Sequence, residues 1–491
     1  MRRRAARSRA GGSWPRPRTL VLGCLCAIVV VITASTLMMW RGLSSPSRGL
    51  RSESPAGSTD GAAFTLGRAP KEAPIKVAER DGQFSNALKT AAETTKGGSC
   101  PRERPAQHAG VRTFFHDPRH KTNFGLTAKI LKERGWKQVK DVCEADVVFF
   151  NSAQRTPWTR LAPWQAANHL RYEPVIADKG KLAKFLENAD RAGRIDSSPF
   201  WPRTFHQSVK EDLPYLREIF NGTNKDPGVW VIKTPGVHLG NGVFVVSEPE
   251  DFEHIRKTGK TLNNKCVFGC GRNIVQQYVS NPLLLPPHNR KFDLRVYWFV
   301  ASQHPLRVYY HDGTTRSSLQ TYDPTHFADK ANFLTNVAQQ KKSKSEYAEH
   351  KEELRLTFES LGEVLRPLYP DVDDPMHVVR AKICHALATV FLAAYDDLMI
   401  EAHVPTFTLM GADFLIDTNL DVWLLEVQDG PMRSMNTPAT ADLWTRLSNE
   451  QWDILFEIEG YRKRGEPVPR DLESVDEFIL IMDEQGEVAP P

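Results

Sequence analysis

One predicted strand limits the possible folds of this sequence more than any other segment does. The run Lys291–Val300 starts with charged residues at alternate positions and then becomes wholly apolar. Because successive side chains on a strand point to opposite faces, Lys291, Asp293 and Arg295 share one face. A strand that continues into an apolar run lies inside a sheet, where unpaired charges are costly. The pattern therefore predicts a central strand whose first residues face a charged ligand, with an internal ion-pair cluster as the alternative.

A second strand candidate, Trp230–Lys233, ends in a lysine and leads into a glycine-containing loop. The glycines are Gly236, Gly240 and Gly242, and a further apolar run follows them. Phosphate binding needs a cation and a backbone that comes close to the oxygens, which glycines permit. The sequence lacks the GKS or GKT of a Walker A loop. Taken alone, this pattern is more typical of a surface hairpin, and the alternative is that Lys233 and the loop meet a nucleotide phosphate.

Two carboxylates oppose each other in a predicted hairpin near the C-terminal end. Its arms are apolar, its turn falls at residues 418–421, and Asp413 and Glu426 stand among apolar neighbours. Carboxylates that face each other repel, and a divalent cation between them removes that repulsion. The hairpin therefore predicts a metal site. Asp417, closer to the turn, is expected to be solvated or to cap the turn.

An apolar stretch near the N-terminus predicts a membrane anchor. Thr19–Trp40 contains no charged residue and is long enough to cross a hydrocarbon core of about 30 Å. More arginines precede it than follow it, which predicts a cytosolic N-terminus and a lumenal remainder, as in a type II protein of the endoplasmic reticulum or Golgi. The sequon at Asn221 is compatible with that side. The alternatives are a cleaved signal sequence and, because no acid precedes Glu53, a mitochondrial leader.

Composition narrows the function classes. A net charge of +5 over 491 residues is too small to indicate a nucleic-acid partner. The seven cysteines are too few for a disulfide scaffold and lack a spacing typical of zinc sites. Cys266 and Cys270 are either a small disulfide loop or two inert thiols. Hydrophobic periodicity predicts a β-α-β unit near residues 111–152, a strand over Leu306–His311 with Gly313 in the following turn, and a core helix over Val378–Leu398.

Several conspicuous segments follow one another along the chain: ERGWK, DKGKL, VIKTPGVHLGNGVFVV, QQYVSNPLLL, KFDLRVYWFVAS, YYHDGTTRSS, FLTN and GADFLID followed by VWLLEVQDGP. Together they resemble the tubulin tyrosine ligase-like family of the ATP-grasp superfamily. Their order and spacing, between about Val111 and Leu447, make the resemblance specific. It implies an α/β (α+β) ATP-grasp fold with an N-terminal α/β domain (106–200), a central ATP-grasp domain (201–290) and a C-terminal ATP-grasp domain (291–465). Charge, hydropathy and composition, and not the resemblance, predict a basic tail (1–18), a transmembrane anchor (19–40), a disordered stalk (41–105) and an acidic tail (466–491).

The resemblance also implies roles for individual side chains. ATP phosphates would meet Lys179, Lys233 and the loop glycines Gly240 and Gly242, and the adenine hinge would be Gln276, Gln277, Tyr278 and Val279. Lys291 and Asp293 would touch the nucleotide, and Thr335 and Asn336 would border the reaction site. Arg295, Arg316 and Glu426 would be catalytic, with the arginines where the acyl-phosphate forms and the donor carboxylate binds. Asp413, Glu426 and Gln428 would hold Mg²⁺, with Gln428 where the family usually has asparagine.

The implied reaction joins a free amino acid to a protein carboxylate through an acyl-phosphate, using ATP and Mg²⁺. Family members add tyrosine, glutamate or glycine, mostly to tubulin, and we expect a polyglutamylase-type ligase that uses glutamate. The predicted lumenal placement makes a secretory-pathway protein the other acceptor. A membrane-anchored pseudoenzyme is the alternative, motivated by Gln428 and by His238 in place of an Arg or Lys in the glycine loop. A lumenal glycosyltransferase, with Asp371 and Asp373 as its metal motif, is a third reading.

Overall fold

The computed structural model of the chain describes residues 98–120, 124–207, 209–220, 228–237, 240–261, 264, 273–327, 329–342, 344–400 and 403–488. The predicted anchor Thr19–Trp40, the sequon at Asn221, His238, Cys266 and Cys270 lie outside these ranges. The described residues form three sheets with helices packed on them, which is the mixed α/β architecture that the sequence predicts.

The first sheet is parallel and confirms the predicted β-α-β unit. It contains β1 (Thr113–His116), β2 (Lys137–Gln138), β3 (Val147–Phe149) and β4 (Ala166–Ala167) in the order β2-β1-β3-β4, and α1 (Gly125–Glu133) connects β1 to β2. The apolar face of α1, including Ile130 and Leu131, shares a core with Trp452 from a late helix. The first sheet is thereby fixed to the C-terminal part of the fold.

Residues 98–105 do not behave as the end of a stalk. Cys100 is buried and forms a disulfide with Cys143, with a Cα–Cα distance of 5.0 Å. Arg104 binds both carboxylate oxygens of Asp146, next to β3. The local sequence does not predict either contact, because the two partners lie about forty residues apart along the chain. The folded region therefore begins before the predicted boundary at residue 106.

Two helices lead to the second, antiparallel sheet. They are α2 (Pro174–Ala177) and α3 (Lys179–Arg191). The sheet contains β5 (Thr204–His206), β6 (Trp230–Lys233), β7 (Val243–Val246) and β8 (Ile274–Gln277) in the order β5-β8-β6-β7, and α4 (Leu213–Phe220) and α5 (Pro249–Thr258) cover one face. The predicted pair of strands around the glycine loop is confirmed by β6 and β7, which are antiparallel neighbours.

The third and largest sheet carries the charged strand at its centre. Its strands are β9 (Leu284–Leu285), β10 (Arg290–Gln303), β11 (Leu306–Thr321), β12 (Thr408–Ile416), β13 (Val422–Asp429), β14 (Ile479–Asp483) and β15 (Gly486–Glu487), in the order β13-β12-β10-β11-β14-β15 with β9 beside β10. The helices of this part are α6 (Lys330–Phe333), α7 (Val337–Gln340), α8 (Lys344–His350), α9 (Phe358–Leu365), α10 (Pro375–Ala393), α11 (Tyr395–Leu398) and α12 (Pro438–Arg464). Strand β10 runs between two antiparallel neighbours, as its pattern predicts.

Helix α10 belongs to the core of this sheet. Most of its side chains are buried, among them Val379, Ile383 and Val390, which confirms the prediction of a core helix. It is also the one helix among the described residues that is long and apolar enough to cross a membrane, and that combination is common in core helices. The predicted helix over Val378–Leu398 is divided at Ala394 into α10 and α11.

Two expectations for the third sheet are wrong. Gly313 is not in a turn, because β11 continues through it to Thr321 and the chain reverses at residues 304–305. A β-bulge lies at this point, where the register between β10 and β11 shifts. The second error concerns residues 466–491, since Ile479–Asp483 is strand β14 and pairs with β11 instead of lying in a separate tail.

Candidate active site

A cleft of about 540 Å³ lies between the second and third sheets and brings together nearly all the residues singled out in the sequence. Its lining includes Lys179, Lys233, Gly240, Gln276, Gln277, Tyr278, Val279, Lys291, Asp293, Arg295, Arg316, Thr335, Asn336, Asp413, Glu426 and Gln428. Gly242 does not line it, but its carbonyl accepts a hydrogen bond from the backbone of Thr234 at the start of the loop. Asp371 and Asp373 are exposed ahead of α10 and do not line the cleft.

Two buried lysines face the cleft from different sheets. Lys233, the last residue of β6, donates to Oε1 of Gln276 at 2.5 Å. Lys291, on β10, donates to the hydroxyl of Tyr278 at 2.5 Å. Burial, strengthened by Lys179, lowers the pKa of Lys233 to about 8. Burial lowers the pKa of Lys291 to about 7, against an opposing effect of Asp293 and with a smaller further lowering by Lys233. Each ammonium is thus held by neutral oxygens, and its charge is available to an anion.

Two side chains of the predicted adenine hinge contact the cleft lysines. Gln276 is only 2% exposed, and its side chain bridges Lys233 and the hydroxyl of Thr204. The Tyr278 hydroxyl lies 2.9 Å from that of Tyr322, and the Tyr278 backbone N–H donates to Val229. Two of the four hinge side chains therefore orient the cleft lysines.

The charged face of β10 forms an ion-pair network with its neighbours. Arg295 binds Asp413 through Nε and, at 3.0 Å, through Nη2. Arg316 donates to Asp293 and pairs with Asp413, both at 2.6 Å. Burial alone would raise the pKa of Asp413, but Arg295 and Arg316 hold it below its ordinary value. Burial raises the pKa of Asp293 against the opposing effect of Arg316.

The hairpin carboxylates are directly opposed, as the sequence predicts. Asp413 on β12 is the register partner of Glu426 on β13. The Nζ of Lys179 lies 2.5 Å from Oε2 of Glu426, and Gln428 donates its amide to Oε1. Asp178 caps the N-terminus of α3 by accepting from the backbone of the following turn, and this fixes Lys179 at the edge of the cleft. Asp417 is buried and caps the turn, so the expectation of capping is confirmed and that of solvation is wrong.

The donor set of this hairpin fits a magnesium ion. Two carboxylates and the amide oxygen of Gln428 are the hard oxygen ligands that Mg²⁺ prefers, and Mg²⁺ commonly takes its other ligands from phosphate and water. No group of three or more His, Cys, Asp and Glu side chains in the described ranges is arranged as a metal cage. These residue types suit a cation that is shared with a phosphate, but in the structure the oxygens of Asp413 bind Arg295 and Arg316 and those of Glu426 bind Lys179 and Gln428.

The loop after β6 folds against the segment that follows β11. Gly240 has a φ of +75°, and a Cβ there would lie 2.8 Å from Leu334. Its carbonyl accepts from Lys330 at 3.1 Å. Asn336 lines the cleft beside this contact, and the Thr335 hydroxyl donates to Asp293. Glycine at this position thus permits the loop to close one side of the cleft.

Several cleft residues had no assigned role from the sequence. They include Tyr297, Thr314, Lys341 and Arg355. Tyr297 lies two residues after Arg295, on the same face of the strand as Lys291 and Asp293. The alternation of side chains along the strand therefore predicts its position in the cleft. Arg355 lies on an irregular segment before α9, and no local pattern marks it.

Comparison of the sequence with known proteins shows which family it resembles. A profile of the tubulin-tyrosine ligase family matches residues 159–456, which is more than half of the chain. A protein polyglycylase of Macaca fascicularis is 29% identical over 339 residues, covering 67% of this chain and 50% of the relative. An inactive polyglycylase of Homo sapiens is 28% identical, covering 67% and 46%. A probable tubulin polyglutamylase of Mus musculus is 28% identical, covering 68% and 59%.

The chain spans about half the length of the curated relatives that it matches. The matched region contains every side chain of the cleft named above, from Lys179 on α3 to Gln428 on β13. Taken with the mixed α/β fold, the match shows that the chain belongs to the tubulin-tyrosine ligase family.

Proposed function

We propose that the protein is an ATP- and Mg²⁺-dependent ligase that joins a free amino acid, preferably glutamate, to a carboxylate of an acceptor protein. The observation that carries the proposal is the cleft itself, in which Asp413 and Glu426 oppose each other beside Lys233, Arg295 and Arg316. Carboxylates for a divalent cation and several fixed cations are what phosphoryl transfer requires, because positioning and charge neutralisation carry most of that chemistry.

The reaction has two steps. An oxygen of the acceptor carboxylate attacks the γ-phosphorus of ATP, ADP leaves, and an acyl-phosphate forms. The amine of the donor then attacks the acyl carbon, phosphate leaves, and the nitrogen loses a proton as the amide forms. Lys233, Lys291, Arg295 and Arg316 all line the cleft. In this proposal the two lysines would stabilise phosphate oxygens, and the two arginines would bind the acyl-phosphate and the donor carboxylate. When bound, Mg²⁺ held by Asp413, Glu426 and Gln428 would neutralise charge on the transferred phosphate.

The direct test is ATP consumption by the purified full chain in detergent with Mg²⁺. Reactions contain a candidate acceptor and glutamate, glycine or tyrosine, and mass spectrometry locates the added amino acid. Turnover that depends on one amino acid and on the acceptor supports the proposal. Nucleotide binding without turnover, for tubulin and for secretory acceptors alike, contradicts it.

A nucleotide-binding pseudoenzyme is the second candidate, and the environment of Gln428 favours it. Glutamine places its amide one methylene further from the backbone than asparagine, and in the structure this amide donates to Glu426. A side chain that occupies a carboxylate oxygen competes with a cation for the same site. An inactive polyglycylase is among the relatives, so loss of activity has a precedent among similar chains. The turnover assay separates the two candidates.

The acceptor depends on which side of the membrane the cleft faces. The relatives named as tubulin polyglutamylases support an acceptor of tubulin type. The predicted anchor Thr19–Trp40 and the Cys100–Cys143 disulfide support a lumenal region instead, because disulfides persist in oxidising compartments. We propose the lumenal placement, with a secretory-pathway protein as acceptor.

The lumenal placement predicts a protected and oxidised protein. In intact microsomes, the region after Trp40 should resist added protease, and a Cys100–Cys143 cross-linked peptide should be recovered without reducing agent. Glycosidase treatment should shift the mass if Asn221 is modified. Two alkylated thiols at Cys100 and Cys143, together with digestion of the region in sealed vesicles, would contradict the placement. A mitochondrial location would be recognised by co-fractionation with that organelle.

Nucleotide binding should weaken as the pH rises. The charged ammonium attracts phosphate, and the pKa values of Lys291 and Lys233 are lowered to about 7 and about 8. Both groups lose charge as the pH passes these values, so affinity for a non-hydrolysable ATP analogue should fall by about tenfold between about pH 6 and about pH 9. Isothermal titration measures this change. Lys291→Met, which removes one titrating charge, should bind less tightly at low pH and show a shallower slope. An affinity independent of pH would contradict the prediction.

A further inference from the structure

The opposed residues of the third sheet form one row across the floor of the cleft. Glu426 is the register partner of Asp413, and Asp413 is the partner of Arg295. Arg295 is in turn the partner of Thr314 on β11. Arg355 continues the row, because its Nη1 donates to Oγ1 of Thr314 at 3.2 Å. Neighbouring strands lie about 4.8 Å apart, so Arg355 stands several strand spacings from Glu426, at the opposite end of the row.

The segment that carries Arg355 is fixed against β11. Leu356 donates its backbone N–H to the hydroxyl of Thr315 at 2.8 Å and accepts from the backbone N–H of Thr315 at 2.9 Å. Thr357 forms an isolated bridge with Thr314. These contacts with β11 fix the backbone on both sides of residue 315, and the guanidinium itself donates to Thr314 without forming an ion pair.

Arg355 differs in this respect from the other arginines of the cleft. Arg295 binds one carboxylate and Arg316 binds two. Arg355 donates to the hydroxyl of Thr314 and, at 3.5 Å, to the carbonyl of Thr315, and no carboxylate of the described ranges forms an ion pair with it. Burial and the nearby charge of Arg316 lower its pKa. Arg355 is half-buried, and Asp293 acts on it only through space, without an ion pair. A half-buried guanidinium whose hydrogen-bond partners are neutral suits an anion, because no ion pair compensates its charge.

We propose that Arg355 binds the side-chain carboxylate of a glutamate donor and thereby selects glutamate over glycine. The inference rests on the proposed ligase function and deepens it, since it names the residue that recognises the donor. The amine must reach the acyl carbon near Arg295, and the α-carboxylate lies one carbon from that amine, beside Arg316. The glutamate side chain then extends along the row to Arg355.

Glycine would leave this guanidinium without a partner, because it has no side chain to reach Arg355. Tyrosine would offer the guanidinium an aromatic ring, which binds it less strongly than a carboxylate does. Lys341, which is exposed at the same side of the cleft, adds positive charge there. The charge distribution therefore favours a dicarboxylic amino acid.

The test measures binding of radiolabelled glutamate to the full chain in detergent, with Mg²⁺ and a non-hydrolysable ATP analogue present. Unlabelled glutamate, glutamine and glycine serve as competitors. Arg355→Met should weaken glutamate binding by about tenfold or more and leave glycine competition unchanged. Arg355→Lys should restore part of the affinity, because lysine keeps the charge but loses the planar donor pair. Arg366→Met, at an exposed arginine after α9, is the matched control.

The outcomes separate this inference from the ligase proposal. Affinity for the ATP analogue shows that each variant is folded. Equal glutamate affinity in Arg355→Met and the unchanged protein overturns the inference, and so does an equal loss of glycine and glutamate, which would assign Arg355 to the α-carboxylate. The inference is also overturned if Arg355→Met binds glutamate normally but its ATP turnover depends less on the acceptor protein. If the unchanged protein binds nucleotide but no amino acid, both proposals fail. If Arg355→Met turns over ATP with glutamate as fast as the unchanged protein, only the inference about Arg355 is contradicted.

Discussion

Glu426→Gln is expected to reduce amino-acid-dependent ATP turnover by about a thousandfold while the protein still binds nucleotide. The substitution preserves the size of the side chain but removes the negative charge that faces Asp413 across the hairpin. Without that charge, the oxygen set of Asp413, Glu426 and Gln428 holds a divalent cation poorly. The same change releases Lys179, whose ammonium lies 2.5 Å from Glu426, so a phosphate contact loses its orientation.

Glu349→Gln is the matched control, because Glu349 is an exposed residue of α8 and does not line the cleft. Its turnover should equal that of the unchanged protein. The measurement is ADP release with saturating Mg²⁺, beside the affinity for an ATP analogue. If Glu426→Gln turns over ATP within a few-fold of the normal rate, Glu426 is not a catalytic residue. A joint loss of turnover and analogue binding would point to a folding defect, and thermal denaturation identifies that case.

Much of this site could be predicted because its residues lie on strands with regular patterns. The alternation in β10 placed Lys291, Asp293 and Arg295 on one face, and the hairpin pattern opposed Asp413 to Glu426. In such segments the side-chain period fixes which residues meet, once the apolar face is known. The structure confirms the ion-pair reading of the β10 charges. The charged-ligand reading stays a prediction, although the same network lines the cleft.

Other parts were not predictable because their partners are distant in sequence. Arg355 reaches the cleft only because its segment bonds to Thr314 and Thr315 on β11. The Cys100–Cys143 disulfide depends on how the chain folds back over the first sheet. Side-chain spacing carries no information on contacts of this kind. Gly313 was misplaced for a related reason, since glycine marks turns and bulges equally well and the choice depends on the partner strand.

Gly313→Ala is expected to destabilise the protein by about 3 kcal/mol or more, or to prevent folding. A Cβ at this position would lie 1.7 Å from the carbonyl oxygen of Arg295. That atom belongs to the backbone of the central strand, so no side chain can rotate to relieve the contact. Relief requires β10 and β11 to separate at the bulge, beside the register pair of Arg295 and Thr314. The change should therefore disturb the cleft and the stability together.

Gly125→Ala provides the comparison, because Gly125 begins α1 and a Cβ there meets no atom within 4 Å. Alanine favours helix, so this variant should be as stable as the unchanged protein or slightly more stable. Thermal unfolding of both variants with and without an ATP analogue measures the difference. If Gly313→Ala unfolds at the same temperature as Gly125→Ala and turns over ATP normally, neither stability nor turnover requires the close approach of the two strands at the bulge. A large loss of thermal stability in Gly313→Ala, but not in Gly125→Ala, would show that β10 and β11 can approach at the bulge only because residue 313 has no Cβ.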